Sequence, residues 1–178
     1  IASLKYGIGI SEKYGVFDRL GALYNSLGYC YGEIYQTKTA WKFNLRGEEI
    51  ARRLMEQYPM GRLQFAEIAA QSSVNLMENL FDQGKPDAAW DRIKSLEEEA
   101  KSADFDMFRY LWESRMNYLT ARILLKRNDI GQAEKYIQKC LEIAQREHLR
   151  KREGSYLRLL GELQIGKNEY ENAVNTIN

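Results

Sequence analysis

Proline, histidine and cysteine are nearly missing from this chain, with two, one and two copies in 178 residues. With prolines only at Pro59 and Pro86, long stretches are left in which a helix can run unbroken. The one histidine, His148 in QREHLRKRE, has no further ligands at metal-site spacing and no paired Ser or Cys for a nucleophilic triad, so it reads as a solvated helix-end residue. Cys30 and Cys140 lie far apart in apolar helical patterns without a CxxC spacing, which points to buried free thiols. No apolar run approaches the roughly 18 residues of a membrane span, and no secretory signal is visible, so the cytoplasm is the expected location. β-branched residues are sparse, while Ala, Leu, Glu, Lys, Arg and Gln are common, which favours helix nearly everywhere and predicts no sheet.

Charge is balanced overall at +1, which gives no general attraction to nucleic acid or to an anionic membrane. Its distribution is uneven. Residues 1–108 hold 13 Lys/Arg and 16 Asp/Glu, residues 109–152 hold 11 and 5, and residues 153–178 hold 2 and 4. The basic stretch Arg146, His148, Arg150, Lys151 and Arg152 reads as a solvated turn between helices; phosphate binding is the lesser alternative, because backbone contacts usually need a wider positive face. Carboxylate pairs such as Glu48 with Glu49, and the run Glu97, Glu98 and Glu99, sit among Lys and Arg and read as exposed helix faces. Neither the Gly7/Gly9 pair nor GKPD at 84–87 continues into a phosphate loop. With no catalytic constellation legible, the expected protein is not an enzyme and uses no metal or organic cofactor.

What is present is helical periodicity in repeated pairs. Residues 21–54 form the clearest unit. Tyr24, Leu27, Gly28 and Tyr31 fall on one face of a first helix, and Ala40, Trp41, Phe43, Leu45, Ile50, Ala51 and Leu54 give a second helix an apolar face that folds back onto it. Gly28 and Ala40 supply the small residues that a close helix crossing needs. Asp18 is placed to cap the first helix. A second copy runs over 63–82 and 88–101 around GKPD, with Pro86 suited to a helix's first turn. A third flanks RNDIG, and a fourth begins near Arg152 and turns at GKNE. Ala40, Ala89, Ala133 and Ala173 are equivalent, and stand 49, 44 and 40 residues apart.

The spacing of Tyr24, Leu27, Gly28, Tyr31 and Ala40 resembles the tetratricopeptide repeat, a helix-turn-helix unit of about 34 residues. The wording LYNSLGY, GQAEKYIQKCLEIA and LRLLGELQIGKNEYENA is similar to the divergent arrays of large bacterial signalling ATPases, nucleotide cyclases and maltose-activator-type transcription regulators. The resemblance covers most of residues 18–178. It departs at Asn44 and Gly47, where the repeat usually has large apolar residues, and at Met77 and Ala121, which stand where the first copy has Gly28. It implies an all-α, α-α superhelix: a right-handed solenoid of antiparallel hairpins forming one domain over 1–178. That domain comprises a partial repeat or cap at 1–14, repeats at 18–57, 62–102 and 105–147, and a truncated fourth at 150–178. The chain begins without Met and ends inside a helical pattern, which reads as a piece of a longer protein. Removed neighbours would leave Ile1, Leu4, Ile8, Val174 and Ile177 as self-associating ends.

By repeat position, the resemblance places a ligand groove on the first helices. The candidates are Asn25, Tyr29 and Glu33 in the first copy, Asn75, Glu78 and Asp82 in the second, Arg115, Tyr118, Arg122 and Lys126 in the third, and Arg158 and Glu162 in the fourth. Arg115, Arg122 and Lys126 make a positive, aromatic-lined strip, and Glu78 with Asp82 a negative one, a polarity that suits a ligand with an acidic and a basic half. The carboxylate clamp of chaperone-type repeats is not reproduced, since Asn25 stands where that clamp has its first Lys. The implied function is a non-enzymatic scaffold, part of a larger bacterial signalling or regulatory protein, that binds a protein or peptide or another domain of its own chain. A sensor domain for a small effector is the alternative, and a nucleic-acid-binding repeat the lesser one.

Overall fold

The computed structural model describes residues 1–106 and 108–177. Among them there are nine α-helices and no strand: α1 (Ala2–Tyr14), α2 (Leu20–Glu33), α3 (Thr37–Gln57), α4 (Arg62–Asp82), α5 (Pro86–Glu99), α6 (Arg109–Lys126), α7 (Ile130–Arg146), α8 (Arg150–Gly166) and α9 (Tyr170–Ile177). The fold is all-α, as its composition requires. Its contacts divide into two compact units, Ile1–Arg109 and Tyr110–Asn178.

The pairs α2–α3, α4–α5, α6–α7 and α8–α9 are closed by one and the same turn. Each first helix ends in a residue with left-handed φ: Tyr35 at 59°, Gly84 at 76°, Asn128 at 59° and Asn168 at 63°. The amide after it reaches back five residues in every case, from Gln36 to the Tyr31 carbonyl, Lys85 to Leu80, Asp129 to Leu124 and Glu169 to Gln164, all at 2.9 Å. This Schellman closure pairs carbonyls that a helix end otherwise leaves unbonded. Glycine and asparagine enter the left-handed region easily; Tyr35 is the exception. Each turn residue stands five positions before one of the four alanines, whose side chains are at most 2% exposed. The alanine alignment thus has a backbone counterpart in every copy.

In the first unit, α2 and α3 cross at glycines. A side chain on Gly28 would put its first carbon 2.1 Å from Asn44 Oδ1 and 2.8 Å from the Asn44 backbone nitrogen. Gly28 therefore makes room for Asn44. Gly47 is also tightly placed, though less so, its missing carbon falling 3.0 Å from the Asn25 amide and 3.1 Å from the Gly21 carbonyl oxygen. Phe43 stacks between Tyr24 and Tyr31, at centroid distances of 6.0 and 5.5 Å. Leu27 is fully buried, and α4 and α5 add Val74, Leu76, Met77, Ile93 and Leu96 to the core. Pro86 opens α5 as expected, and Pro59 opens a single 3₁₀ turn, Pro59–Gly61.

Three local expectations are corrected. Asp18 does not cap α2, whose boundary residue is Arg19 without a side-chain bond; Asp18 instead lies 3.8 Å from Arg19 on the surface. Of the terminal apolar residues, Ile8 is buried and Leu4 half-buried, while Ile1 and Val174 are exposed. The Ile177 side chain lies outside the described residues. The large apolar residues that α1 exposes are Tyr6, Ile10 and Tyr14, one helical strip four residues apart. Cys30, expected to be buried, is only half so.

The second unit buries Leu119, Ala121, Ile123, Ile137, Cys140 and Ala144 with no exposure. Asp129 accepts a hydrogen bond from the Gln132 amide at 3.2 Å and so caps α7. The Cys140 thiol donates to the Ser114 carbonyl at 3.4 Å, and burial pushes its ionisation far up, which makes it an inert packing residue.

Candidate functional site

In the first unit the expected groove residues lie on α2 and α4, which pack side by side. The structure divides them into an inner and an outer set. Asn25 is 8% exposed and Asn75 3%, and they bond to each other, Asn75 Nδ2 donating to Asn25 Oδ1 at 2.6 Å. They belong to the interior and do not line an open groove. Asn75 also donates to Asn44 Oδ1 at 3.2 Å, and Asn44 donates to Asn79 Oδ1 at 3.0 Å. Outward, Asn25 donates to Gln71 at 3.5 Å and Gln71 to Glu67 at 2.9 Å. A string of amides therefore runs through α2, α3 and α4, its members paired because an unpaired buried amide is costly. Burial raises the Glu67 carboxyl above the usual carboxylate range, with the Gln71 bond opposing it. The outer set is different. Tyr29, Glu33 and Asp82 are exposed and Glu78 half-buried, a row with one ring and three carboxylates near the ends of α2 and α4.

In the second unit Arg115 is buried at 8% exposure, so it drops out of the expected positive strip. The strip is reduced to Arg122 and Lys126. Tyr118 rests against Tyr156 at 5.1 Å between ring centroids, and the Arg122 guanidinium lies 5.7 Å from the Tyr118 centroid. Arg158 and Glu162 are exposed on α8 and face each other at 3.7 Å, a separation typical of weak surface pairs.

A cluster that sequence reasoning missed lies among α3, α4 and α5. Glu48, expected on an exposed face, is 6% exposed. Its Oε1 accepts from Arg52 Nη2 at 3.1 Å and Nε at 3.3 Å, and its Oε2 from Arg92 Nη2 at 2.6 Å. Arg52 also grips Glu99 with two nitrogens, at 2.7 and 3.3 Å, and Ser95 donates to Glu99 at 3.3 Å. Burial works against the Arg52 charge, but the bonds and fields of Glu99 and Glu48 outweigh it and hold the guanidinium more firmly protonated than usual. With Ser73, these residues line a cavity of about 220 Å³. The signal was present in the sequence: Glu48 falls four residues after Asn44 and three before Ala51, on the inward face of α3.

His148 is exposed between α7 and α8 with φ 55°, and Arg146 beside it pairs with Glu147 at 2.8 Å. Among the described residues no group of three or more His, Cys, Asp or Glu is arranged to hold a metal, and no helix is long and apolar enough to cross a membrane. No known family model matches the chain, and no curated protein matches it.

Proposed function

We propose that the chain is a non-enzymatic helical-repeat module that holds a protein segment against the first helices of its hairpins. It would do so as the tetratricopeptide arrays it resembles do, within a larger bacterial signalling or regulatory protein. What supports this reading is the set Tyr29, Glu33, Glu78 and Asp82 in the last turns of α2 and α4, two helices that pack on each other. A ring and three carboxylates on neighbouring helix ends suit a segment carrying Lys or Arg, whose charge would pair with the acids and whose stem or guanidinium would stack on Tyr29. Helical repeats bind extended segments on such surfaces because each hairpin adds one more stripe of contacts.

A displayed peptide library selected on the 178-residue chain tests this. Selected sequences should be enriched in Lys and Arg, and Glu33→Lys with Asp82→Lys should weaken their binding at least tenfold while the melting temperature stays within a few degrees. Selection of no sequence, or binding that survives the double reversal, would exclude the row as the site.

A further inference from the structure

Helix α4 is covered on almost every side. Between Phe65 and Phe81 only Glu67, Ile68, Gln71 and Glu78 escape full burial. At 3.6 residues per turn, Glu67, Gln71 and Glu78 lie within roughly 40° of one another around the axis. They form one narrow open line, which Asp82 prolongs. Helix α2 runs beside it in the same direction: a side chain on Gly21 would meet Ile68 at 3.5 Å, Asn25 bonds to Gln71 and Asn75, and a side chain on Gly32 would meet Asn79 at 3.7 Å. The line therefore leads from Glu67, level with the start of α2, to the level of Tyr29 and Glu33. Glu67 stands apart from the acids at the far end. Its side-chain bond comes from Gln71 at 2.9 Å, no cation approaches it among the described residues, and burial pushes its carboxyl up. A half-buried carboxylate without a cation gains more from an incoming Lys or Arg than an exposed one does, because less water screens the pair. Gln71 gives one N–H to Glu67 and one lone pair to Asn25, which leaves its second N–H and second lone pair for a backbone laid across it. An extended segment has backbone N–H and C=O groups to offer there, whereas a helix has already paired its own.

We infer that the segment held by the proposed site is extended, runs along this line, and carries two cationic residues about five positions apart, one paired with Glu67 and the other with the acids in the last turns of α2 and α4. This rests on the reading in which those helix ends bind a Lys- or Arg-bearing segment, and adds to it a second anchor and a spacing. Glu78 follows Glu67 by eleven residues. At 1.5 Å per residue of helix that is about 16 Å, which an extended chain at about 3.3 Å per residue covers in about five residues. Glu67→Gln removes the second anchor without touching the helix ends, so the inference and the reading beneath it can fail separately.

The test is fluorescence anisotropy on the 178-residue chain with three labelled peptides of equal length, made of Ala, Ser and Gln and differing only in the placement of two arginines, which stand two, five or eleven positions apart. The five-apart peptide should bind about fivefold more tightly than the two-apart one, the most that a partly exposed ion pair supplies. Glu67→Gln, which keeps an oxygen for the Gln71 bond, should bring those two peptides to equal affinity and leave the helical circular dichroism intact. Equal affinities in the wild type, a preference for eleven apart as a helical segment would show, or a preference that survives Glu67→Gln overturns the inference. If in any of those cases Glu33→Lys with Asp82→Lys still weakens all three peptides, the reading beneath it stands. Binding of none of the three overturns both.

Discussion

Four residues past its buried alanine, hairpin α2–α3 carries Asn44, where α4–α5 carries Ile93 and α6–α7 carries Ile137, and all three side chains are buried. Seven past the alanine stand Gly47, Leu96 and Cys140; twelve before it stand Gly28, Met77 and Ala121. One hairpin is thus built on glycines and an amide, and the others on apolar volume. Apolar packing is non-directional and tolerates small slips, whereas the Asn44 amide must meet Asn75 and Asn79 at fixed angles. The first hairpin gives up hydrophobic area at its crossing and gains one register for three helices, with Gly28 as the condition for it. A buried amide fixes alignment in this way only while every partner stays in place.

The largest break in that comparison comes from Gly28→Ala. The added carbon falls 2.1 Å from a side-chain atom and 2.8 Å from a backbone atom of a residue with no exposed surface, so no rotamer change of Asn44 relieves it. Overpacking plus the displaced amide bonds should cost more than roughly 3 kcal/mol in urea unfolding. The mirror change at the equivalent position, Ala121→Gly, should cost only about 1 kcal/mol, the helix-propensity difference plus a little lost packing. Equal effects at the two positions would mean that the crossings are alike after all.

A smaller effect sharpens the same point. Asn44→Leu alone leaves Asn79 Oδ1 without its donor and Asn75 without one of its acceptors, and should cost about 2 to 3 kcal/mol. Adding Asn79→Leu removes the stranded amide, and the double variant should be less destabilised than the sum of the singles by about 1 kcal/mol. Strict additivity would show that the two amides do not act together.

These residues also mark how far the sequence alone could be read. The hairpins were legible because the apolar faces and their alanines recur around the turns GKPD, RNDIG and GKNE even where the copies differ in length; that the left-handed residue, Tyr35 in the first copy and Gly or Asn in the others, stands five before each alanine emerged only from the backbone. Asn44 and Gly47 stood out as departures from the repeat, but not what they enable, since the closeness of α2 to α3 is a property of the packed pair. Asn25 and Asn75 were assigned to a groove by repeat position, and position along one helix does not reveal that a neighbouring helix covers the inner half of the strip. Glu48 and Arg115 were hidden by their charge: both lie on inward faces, and an ionic side chain on a helix is usually solvated. For Glu48 the partners that make burial tolerable are Arg52, one turn away, and Arg92, on another helix that the sequence does not connect to it.

The smallest expected effect lies at the outer end of the amide string, at Glu67, and it depends on pH. Glu67 is half-buried, receives one bond from Gln71 and has no cation among the groups that set its ionisation, so its folded-state pKa is raised above the unfolded value. A raised acid binds its proton more tightly in the folded state. Its contribution therefore disfavours folding above the folded pKa and is relieved as pH falls toward the ordinary carboxylate value. Asp104 acts in the opposite sense: its bond to Arg62 at 2.6 Å holds its carboxyl low, and that contribution is lost as pH falls. A single melting curve against pH mixes the two, so the measurement is a difference between wild type and Glu67→Gln, which keeps an oxygen for the Gln71 bond and removes the charge. The variant should melt slightly higher than wild type near pH 7, by a degree or two, and the gap should close near pH 4. A gap that widens on acidification would place a cation beside Glu67 and remove the string's anchor as a source of pH sensitivity in the first unit.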